Sequence, residues 1–174
     1  MSSSEKNSAG TPCEYQENLD LLRQTYLFSG FPLESLKVFA YLGLREKLHD
    51  GDYLFRQGED DDQAYCIVSG KARIEFGDNG RMRVIRDVGV GDFIGGLTLL
   101  GDARRLYSLR AVGEMVCIVL KREKFAKAVK QFPDQMPRIF RAVVEAVVDW
   151  EARFLEALGA DCGGCLPRLG ISLL

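Results

Sequence analysis

The feature that most constrains the fold is a series of short apolar segments between Leu44 and Leu120, each bounded by a glycine-bearing turn. The turns are HDGD at 49–52, QGED at 57–60, SG at 69–70, GDNG at 77–80 and GVGD at 89–92. The segments between them, such as YLF, AYCIV, ARIEF, MRVIRDV, YSLRAV and MVCIVL, have the length and composition of strands. Many short strands at regular spacing indicate a sandwich or small barrel. Because no helical segment intervenes to make parallel crossovers, we expect the sheets to be antiparallel.

Helical periodicity flanks this β-rich region on both sides. Residues 15–41 show apolar side chains at helical spacing, with a break at Ser29-Gly30-Phe31-Pro32 that predicts two short helices. A further helix begins at Arg122 and stops before Pro133, and a last one is predicted over 137–158. The fold class is therefore mainly β, an antiparallel β-roll or jelly-roll bracketed by N-terminal and C-terminal α-helices.

The predicted organisation is one domain made of five consecutive segments. These are a disordered N-terminal tail (1–14), N-terminal helices (15–43), a β-roll (44–121), C-terminal helices including a dimer helix (122–158) and a flexible tail (159–174). The chain has 174 residues, of which 47% are hydrophobic, which is enough for one sizeable core.

Charge and targeting signals exclude several function classes. The net charge of −2 gives no global attraction to nucleic acid or anionic lipid, so an anion site must be local. The N-terminal residues lack the apolar core of a signal peptide, and we expect no membrane segment. Five cysteines, an odd number without scaffold spacing, favour a reducing compartment, and we predict a cytoplasmic location.

The segment FIGGLTLLGDARRLYSLRA at 93–111 predicts a pocket for a small anion. Glycines without side chains let a ligand approach the backbone, and here two are adjacent, Gly95 and Gly96. Arginine grips phosphate or carboxylate through a planar fork, and Arg104 and Arg105 follow shortly after.

The run GDYLFRQGEDDDQAYCIVSGKARI at 51–74, followed by the segment at 93–111, closely resembles the cyclic nucleotide-binding domain family. The resemblance implies a β-roll whose interior holds a cyclic nucleotide, cyclic AMP or cyclic GMP. It also implies a phosphate-binding cassette with a short helix, in which Arg105 clamps the phosphate. The ligand-binding residues that follow are Gly95, Gly96, Leu97, Thr98, Arg104, Arg105 and Leu106.

Three positions depart from the family pattern. Gly96 stands where the family has the glutamate that accepts hydrogen bonds from the ribose, and Leu106 stands where a small or hydroxyl residue is usual. Arg104 replaces the proline before the clamp arginine. A lost charge-assisted acceptor costs about 1.5–3 kcal/mol, so we expect weak binding of a cyclic nucleotide or binding of an altered ligand.

The functional prediction is a non-catalytic regulatory domain that signals through its C-terminal helix. One alternative is a dimerising scaffold that has lost cyclic nucleotide binding. Another is a sensor of a different small anion, in which Arg104 acts with Arg105 instead of lying on the surface. No catalytic residues, metal ligands or cofactors are predicted.

The helix at 137–158 has a broader apolar stripe than one contact needs, so we predict a homodimer. Its residues would divide between the roll and a second copy: Val143, Val144, Val147, Trp150 and Phe154. Trp150 could instead lie over a nucleobase as a lid. The short segment after this helix leaves no room for a helix-turn-helix, so we do not expect DNA binding by that route.

We predict structural roles, not binding roles, for several aspartates, cysteines and the histidine. We predict that Asp60, Asp61 and Asp62 form a solvated turn and that His49 is exposed. Cys66 and Cys117 are expected in the core. The pair Cys162 and Cys165 has metal-like spacing, but without a second ligand pair or a nearby histidine we predict no metal site there.

Overall fold

The computed structural model describes residues 12–78 and 80–161. Two helices come first, α1 (Pro12–Gln24) and α2 (Leu33–Leu42). Six strands follow: β1 (Leu44–Leu48), β2 (Tyr53–Phe55), β3 (Gln63–Asp78), β4 (Arg81–Val88), β5 (Phe93–Ile94) and β6 (Ser108–Lys121). The described chain ends with α3 (Arg122–Gln131) and α4 (Met136–Asp161). Among the described helices, none is long and apolar enough to cross a membrane.

The sheet is antiparallel throughout, as the turn pattern predicts. Its strand order is β1-β6-β3-β4, with β2 also paired to β6 and β5 to β3. The longest ladder joins β3 to β6 from the pair Gln63↔Lys121 to the pair Glu75↔Ser108. These two strands form the central ribbon of the roll, and the helices pack on its outer side.

Two predicted boundaries need correction. The predicted disordered tail is wrong for residues 12–14, because α1 already begins at Pro12. The backbone oxygen of Glu14 there accepts a hydrogen bond from Arg45 of β1, which ties the first turn to the sheet. Residues 1–11 and 162–174 lie outside the described residues, so the two tails stay predictions beyond these limits.

The predicted turn at Ser69-Gly70 is also wrong, because β3 continues through it as one strand with register shifts on either side of Ser69. Gly70 has φ of 80°, and a β-carbon there would overlap the Glu114 carbonyl oxygen of β6. A glycine is therefore required by a close strand crossing at an irregularity, not by a chain reversal.

Both faces of the central ribbon are buried at residues 64–68 and 117–120, which explains why the sequence is continuously apolar there. Tyr65 and Ile67 of β3 face the interior of the roll, and Cys66 and Val68 face the helices. The helical side holds a cluster of edge-to-face aromatic rings around Phe28. The sheet thus separates two apolar cores, one inside the roll and one under the helices.

The predicted burial of Cys66 and Cys117 is confirmed, since both are fully buried. Burial raises the pKa of each thiol to about 12. Because the thiolate is the reactive form, we expect neither residue to react with iodoacetamide at pH 8 while the protein is folded. The exposed Cys13 is the internal control and is expected to react. Peptide mapping by mass spectrometry measures this, and rapid labelling of Cys66 or Cys117 in native protein would contradict the buried assignment.

Candidate functional site

The segment between β5 and β6, residues 95–106, carries the predicted anion-binding residues, and we call it the cassette. It opens at Gly95, which has φ of 83°, and continues into a 3₁₀ turn at Gly96–Leu99. A β-carbon at Gly95 would overlap the guanidinium of Arg105 and lie 3.0 Å from the carbonyl oxygen of Gln63. Glycine therefore lets the arginine cross directly against the backbone here.

Arg105 is the central charged group of the cassette, and only 5% of its side chain is exposed. Its Nη2 lies 2.6 Å from Oδ2 of Asp61, and its Nε donates to the same oxygen at 3.1 Å. Nη2 also donates to the carbonyl oxygen of Gln63. The guanidinium carbon lies 3.9 Å from the ring centroid of Phe55, in the range of a cation–π contact. The arginine is thus held inside the roll by protein groups.

Asp61 is a site residue that the sequence reasoning missed. Its side chain is 10% exposed, and it accepts hydrogen bonds from the Tyr65 hydroxyl at 3.1 Å and the Gln63 N–H at 3.0 Å. The predicted solvated turn is therefore wrong for Asp61, because a buried guanidinium requires a buried counterion. The partners are 44 residues apart, so no local sequence signal reveals the pair.

Arg104 points elsewhere. Its side chain is 76% exposed, and its Nε lies 3.6 Å from Oδ1 of the equally exposed Asp60. The two neighbouring pairs therefore differ in environment: Arg104 and Asp60 lie in solvent, and Arg105 and Asp61 lie in the interior. The structure does not bring Arg104 and Arg105 together in one pocket.

Gly96 leaves space that Tyr26 fills. A β-carbon at position 96 would overlap the hydroxyl oxygen of Tyr26 and lie 3.1 Å from the ring edge of Phe93. Tyr26 packs edge-to-face on Phe93, with ring centroids 5.9 Å apart. The phenol thus stands where a glutamate would begin, and Tyr26 is a second site residue that sequence reasoning missed.

Tyr107 lines the interior beside Arg105, with its ring centroid 5.6 Å from that of Phe55. Burial raises the pKa of Tyr107, although the cations of Arg105 and Arg86 lower it. Burial also raises the pKa of Tyr26, and Tyr107 adds to that shift. Tyr107 therefore has two cations, Arg105 and Arg86 of β4, and a second phenol, Tyr26, in its electrostatic surroundings.

The remaining predicted residues divide between the surface and the cassette backbone. Leu97 and Leu106 are exposed, by 53% and 77%. Thr98 is buried, and its hydroxyl lies 2.7 Å from the carbonyl oxygens of both Gln63 and Gly95. The Thr98 side chain therefore stabilises the cassette itself.

The cassette is connected to the C-terminal helices at two points. Arg122, the first residue of α3, donates to the Thr98 carbonyl oxygen and pairs with Asp102. Tyr26 lines a cleft of about 140 Å³ between residues 26–31 and α4. Across this cleft, Arg138 of α4 donates to the carbonyl oxygen of Gly30 at 2.6 Å.

The structure also bears on possible metal ligands and on the positions of His49 and Trp150. Within residues 12–78 and 80–161, no group of three or more possible metal ligands is present. His49 is exposed, as predicted. The pair Cys162 and Cys165 lies outside the described residues. Trp150 is 62% exposed on α4, and its role as a lid stays a prediction.

The family comparison agrees with this geometry. A family model described as the cyclic nucleotide-binding domain matches residues 45–132, which run from β1 through α3. The matched range includes the strands, the cassette and Arg105.

Three similar proteins show how much of this chain, and of each relative, is covered by the similarity. A regulatory subunit of cAMP-dependent protein kinase from Blastocladiella emersonii is 33% identical over 51% of this chain and 22% of its own length. Lysophospholipase nte1 from Aspergillus terreus is 24% identical over 82% of this chain and 9% of its own length. The Toxoplasma gondii protein kinase A regulatory domain, solved with cAMP, has a TM-score of 0.68 at 24% identity and covers 80% of this chain and 54% of that chain. The chain thus spans less than a quarter of the length of these two curated relatives.

Proposed function

The chain belongs to the cyclic nucleotide-binding domain family, and on that premise we propose that it is a non-catalytic regulatory domain. It binds a cyclic nucleotide weakly between the cassette and the interior of the roll, and it signals through α4. The observation that carries this proposal is the orientation of Arg105, which enters the interior against Phe55 and Gly95. Arginine side chains are usually exposed to solvent, so the burial of this one supports a role inside the roll.

Two features make the proposed binding weak. Arg105 already pairs with Asp61, so an incoming phosphate shares the guanidinium with a buried carboxylate. Gly96 offers no carboxylate to the ribose, and a charge-assisted acceptor contributes about 1.5–3 kcal/mol. That loss corresponds to about a ten- to hundredfold lower affinity.

The proposed binding is tested by calorimetric titration of the folded chain with cyclic AMP and with cyclic GMP. We expect heats of binding with a Kd in the micromolar range or above, since the phosphate contacts remain and the ribose contact is lost. Absence of heat at millimolar nucleotide, with circular dichroism confirming the fold, would remove this function.

The proposed signal route runs from the cassette to α4 through Tyr26. The hydroxyl of Tyr26 lies beside Gly96 of the cassette, and the same residue lines the cleft against α4. A ligand that moves the cassette therefore changes how Tyr26 packs in this cleft. A ligand shifts the helix only if its contacts differ between two helix positions. Hydrogen exchange with and without saturating cyclic AMP measures the shift, and we expect Arg138→Gln, which removes the bond to Gly30, to weaken the change in α4.

We further propose that α4 pairs with a second copy of the chain. Val143 packs against the helical core, whereas Phe140, Val144 and Trp150 remain 71%, 43% and 62% exposed. A two-fold seam would bury these side chains.

Multi-angle light scattering at tens of micromolar is expected to give the dimer mass. Phe140→Glu should give the monomer mass, because it places a charge in the seam. Lys130→Glu, at an exposed position on α3, should leave the dimer intact. A monomer of the unmodified chain would contradict the pairing.

One observation favours a second candidate, a dimerising scaffold without nucleotide binding. The Nε and Nη2 groups of Arg105 already donate to Asp61 and Gln63, so the positive charge has a protein counterion without a ligand. Under this function, the titrations give no heat while the chain still forms a dimer. The two measurements together therefore separate the candidates.

A further inference from the structure

We propose that this site prefers a phosphate monoester dianion, such as a nucleoside 5′-phosphate, over a cyclic phosphodiester monoanion, with Arg86 of β4 as the second cation. This deepens the proposed function and rests on it, because it assigns the chemistry of the anion that occupies the same pocket.

The register of the sheet places Arg86 on the interior face of the roll. Arg86 is the β4 neighbour of Ile74, and Leu109 is the β6 neighbour of the same residue. Residues directly opposite one another in antiparallel strands share a face. Ile74 and Leu109 both belong to the interior core, so Arg86 projects from the same side. The next pair, Ala72↔Val88, is interior as well.

Tyr107 connects this position to the cassette. It precedes Leu109 by two residues and packs on Phe55, the ring on which Arg105 lies. The cations of both Arg105 and Arg86 act on its hydroxyl, since each lowers the pKa that burial raises. Arg86 therefore shares the interior face through its strand register, and its charge acts on the same tyrosine as the charge of Arg105.

Arg86 also has the exposure and the free charge that a ligand contact needs. It is solvent-exposed at the edge strand of the sheet, and it forms no ion pair with any residue of the described chain. Its neighbour Asp87 instead pairs with Arg73 at 2.7 Å, on the opposite face. The charge of Arg86 is thus available to a ligand on this face of the sheet.

The balance of charge favours a dianion. Arg105 and Asp61 cancel each other, Gly96 contributes no carboxylate, and Arg86 adds one positive charge. A phosphate monoester carries about −1.5 to −2 at pH 7, whereas a cyclic diester carries one negative charge. The phenols of Tyr26 and Tyr107 are donors that do not repel the additional negative charge. A glutamate at position 96 would repel it.

The test is calorimetric titration with adenosine 5′-monophosphate and with cyclic AMP at fixed ionic strength. Three proteins are compared: the unmodified chain, Arg86→Gln and Arg104→Gln. The last removes the same charge from the exposed side of the cassette, so it controls for net charge. We expect adenosine 5′-monophosphate to bind the unmodified chain about tenfold or more tightly than cyclic AMP, the size of one charge-assisted contact. Arg86→Gln should abolish that preference, and Arg104→Gln should keep it.

The possible results distinguish the preference for a monoester from the proposed binding of a cyclic nucleotide. Cyclic AMP binding that equals or exceeds that of the monoester overturns the inference and leaves the proposed function intact. Monoester binding without cyclic AMP binding supports the inference and overturns the cyclic-nucleotide assignment. Absence of binding by either nucleotide overturns both, and a preference that survives in Arg86→Gln overturns the role of Arg86.

Discussion

Arg105→Ala is expected to lower the free energy of unfolding by about 3–5 kcal/mol, because it leaves the carboxylate of Asp61 buried without its counterion. For a domain of this size the Tm should fall by about 10 °C. Thermal unfolding followed by circular dichroism measures the change.

Arg104→Ala is the matched control for this prediction. Its partner Asp60 is 77% exposed, so we expect a loss of less than about 1 kcal/mol. The double variant Asp61→Ala with Arg105→Ala should lose less than the sum of its single variants, since no charge is then left unpaired. Equal effects of Arg104→Ala and Arg105→Ala would show that the interior pair contributes no more than the surface pair.

Gly96→Glu is expected to destabilise the chain by about 1–3 kcal/mol, the usual cost of overpacking. The new side chain overlaps the hydroxyl of Tyr26 and presses on the ring of Phe93. Tyr26→Ala in the same chain removes the overlap, so the second variant should recover part of the lost stability. Urea denaturation of the two single variants and the double variant measures this coupling.

Gly101→Glu controls for the chemistry of the substitution. A β-carbon at Gly101 meets no atom within 4 Å, so the same residue change in the same segment should be nearly neutral. If Gly96→Glu is equally neutral, or if Tyr26→Ala gives no recovery, then Tyr26 does not occupy the space of the missing side chain.

The architecture follows from local patterns. Turn signals such as Gly89-Val90-Gly91-Asp92, apolar segments of strand length and the break before Leu33 predict an antiparallel roll between helices, and the structure has these elements. Such patterns depend on neighbours in sequence, where backbone conformation and side-chain periodicity are decided. The exception at Gly70 arises because a glycine required for a turn and one required by a strand crossing look alike in sequence.

The site was harder to predict because its contacts are between distant residues. Arg105 could be assigned from the resemblance, but its counterion Asp61 appears in sequence as one member of an acidic run. Tyr26 lies in the turn after α1, far in sequence from Gly96, and only folding brings its hydroxyl to the cassette. Arg86 becomes significant through the register of β4 with β3, which a single sequence does not reveal.

One measurement tests directly whether the chain keeps the phosphate contact of Arg105 but has lost the ribose contact at position 96. Calorimetry with cyclic AMP compares the unmodified chain with Tyr26→Ala and with the double variant Tyr26→Ala, Gly96→Glu. We predict that the double variant binds about ten- to hundredfold more tightly than either, because it regains a charge-assisted acceptor beside a retained phosphate clamp. Equal dissociation constants for the three proteins would contradict the account that Tyr26 replaces the ribose contact while Arg105 keeps the phosphate contact.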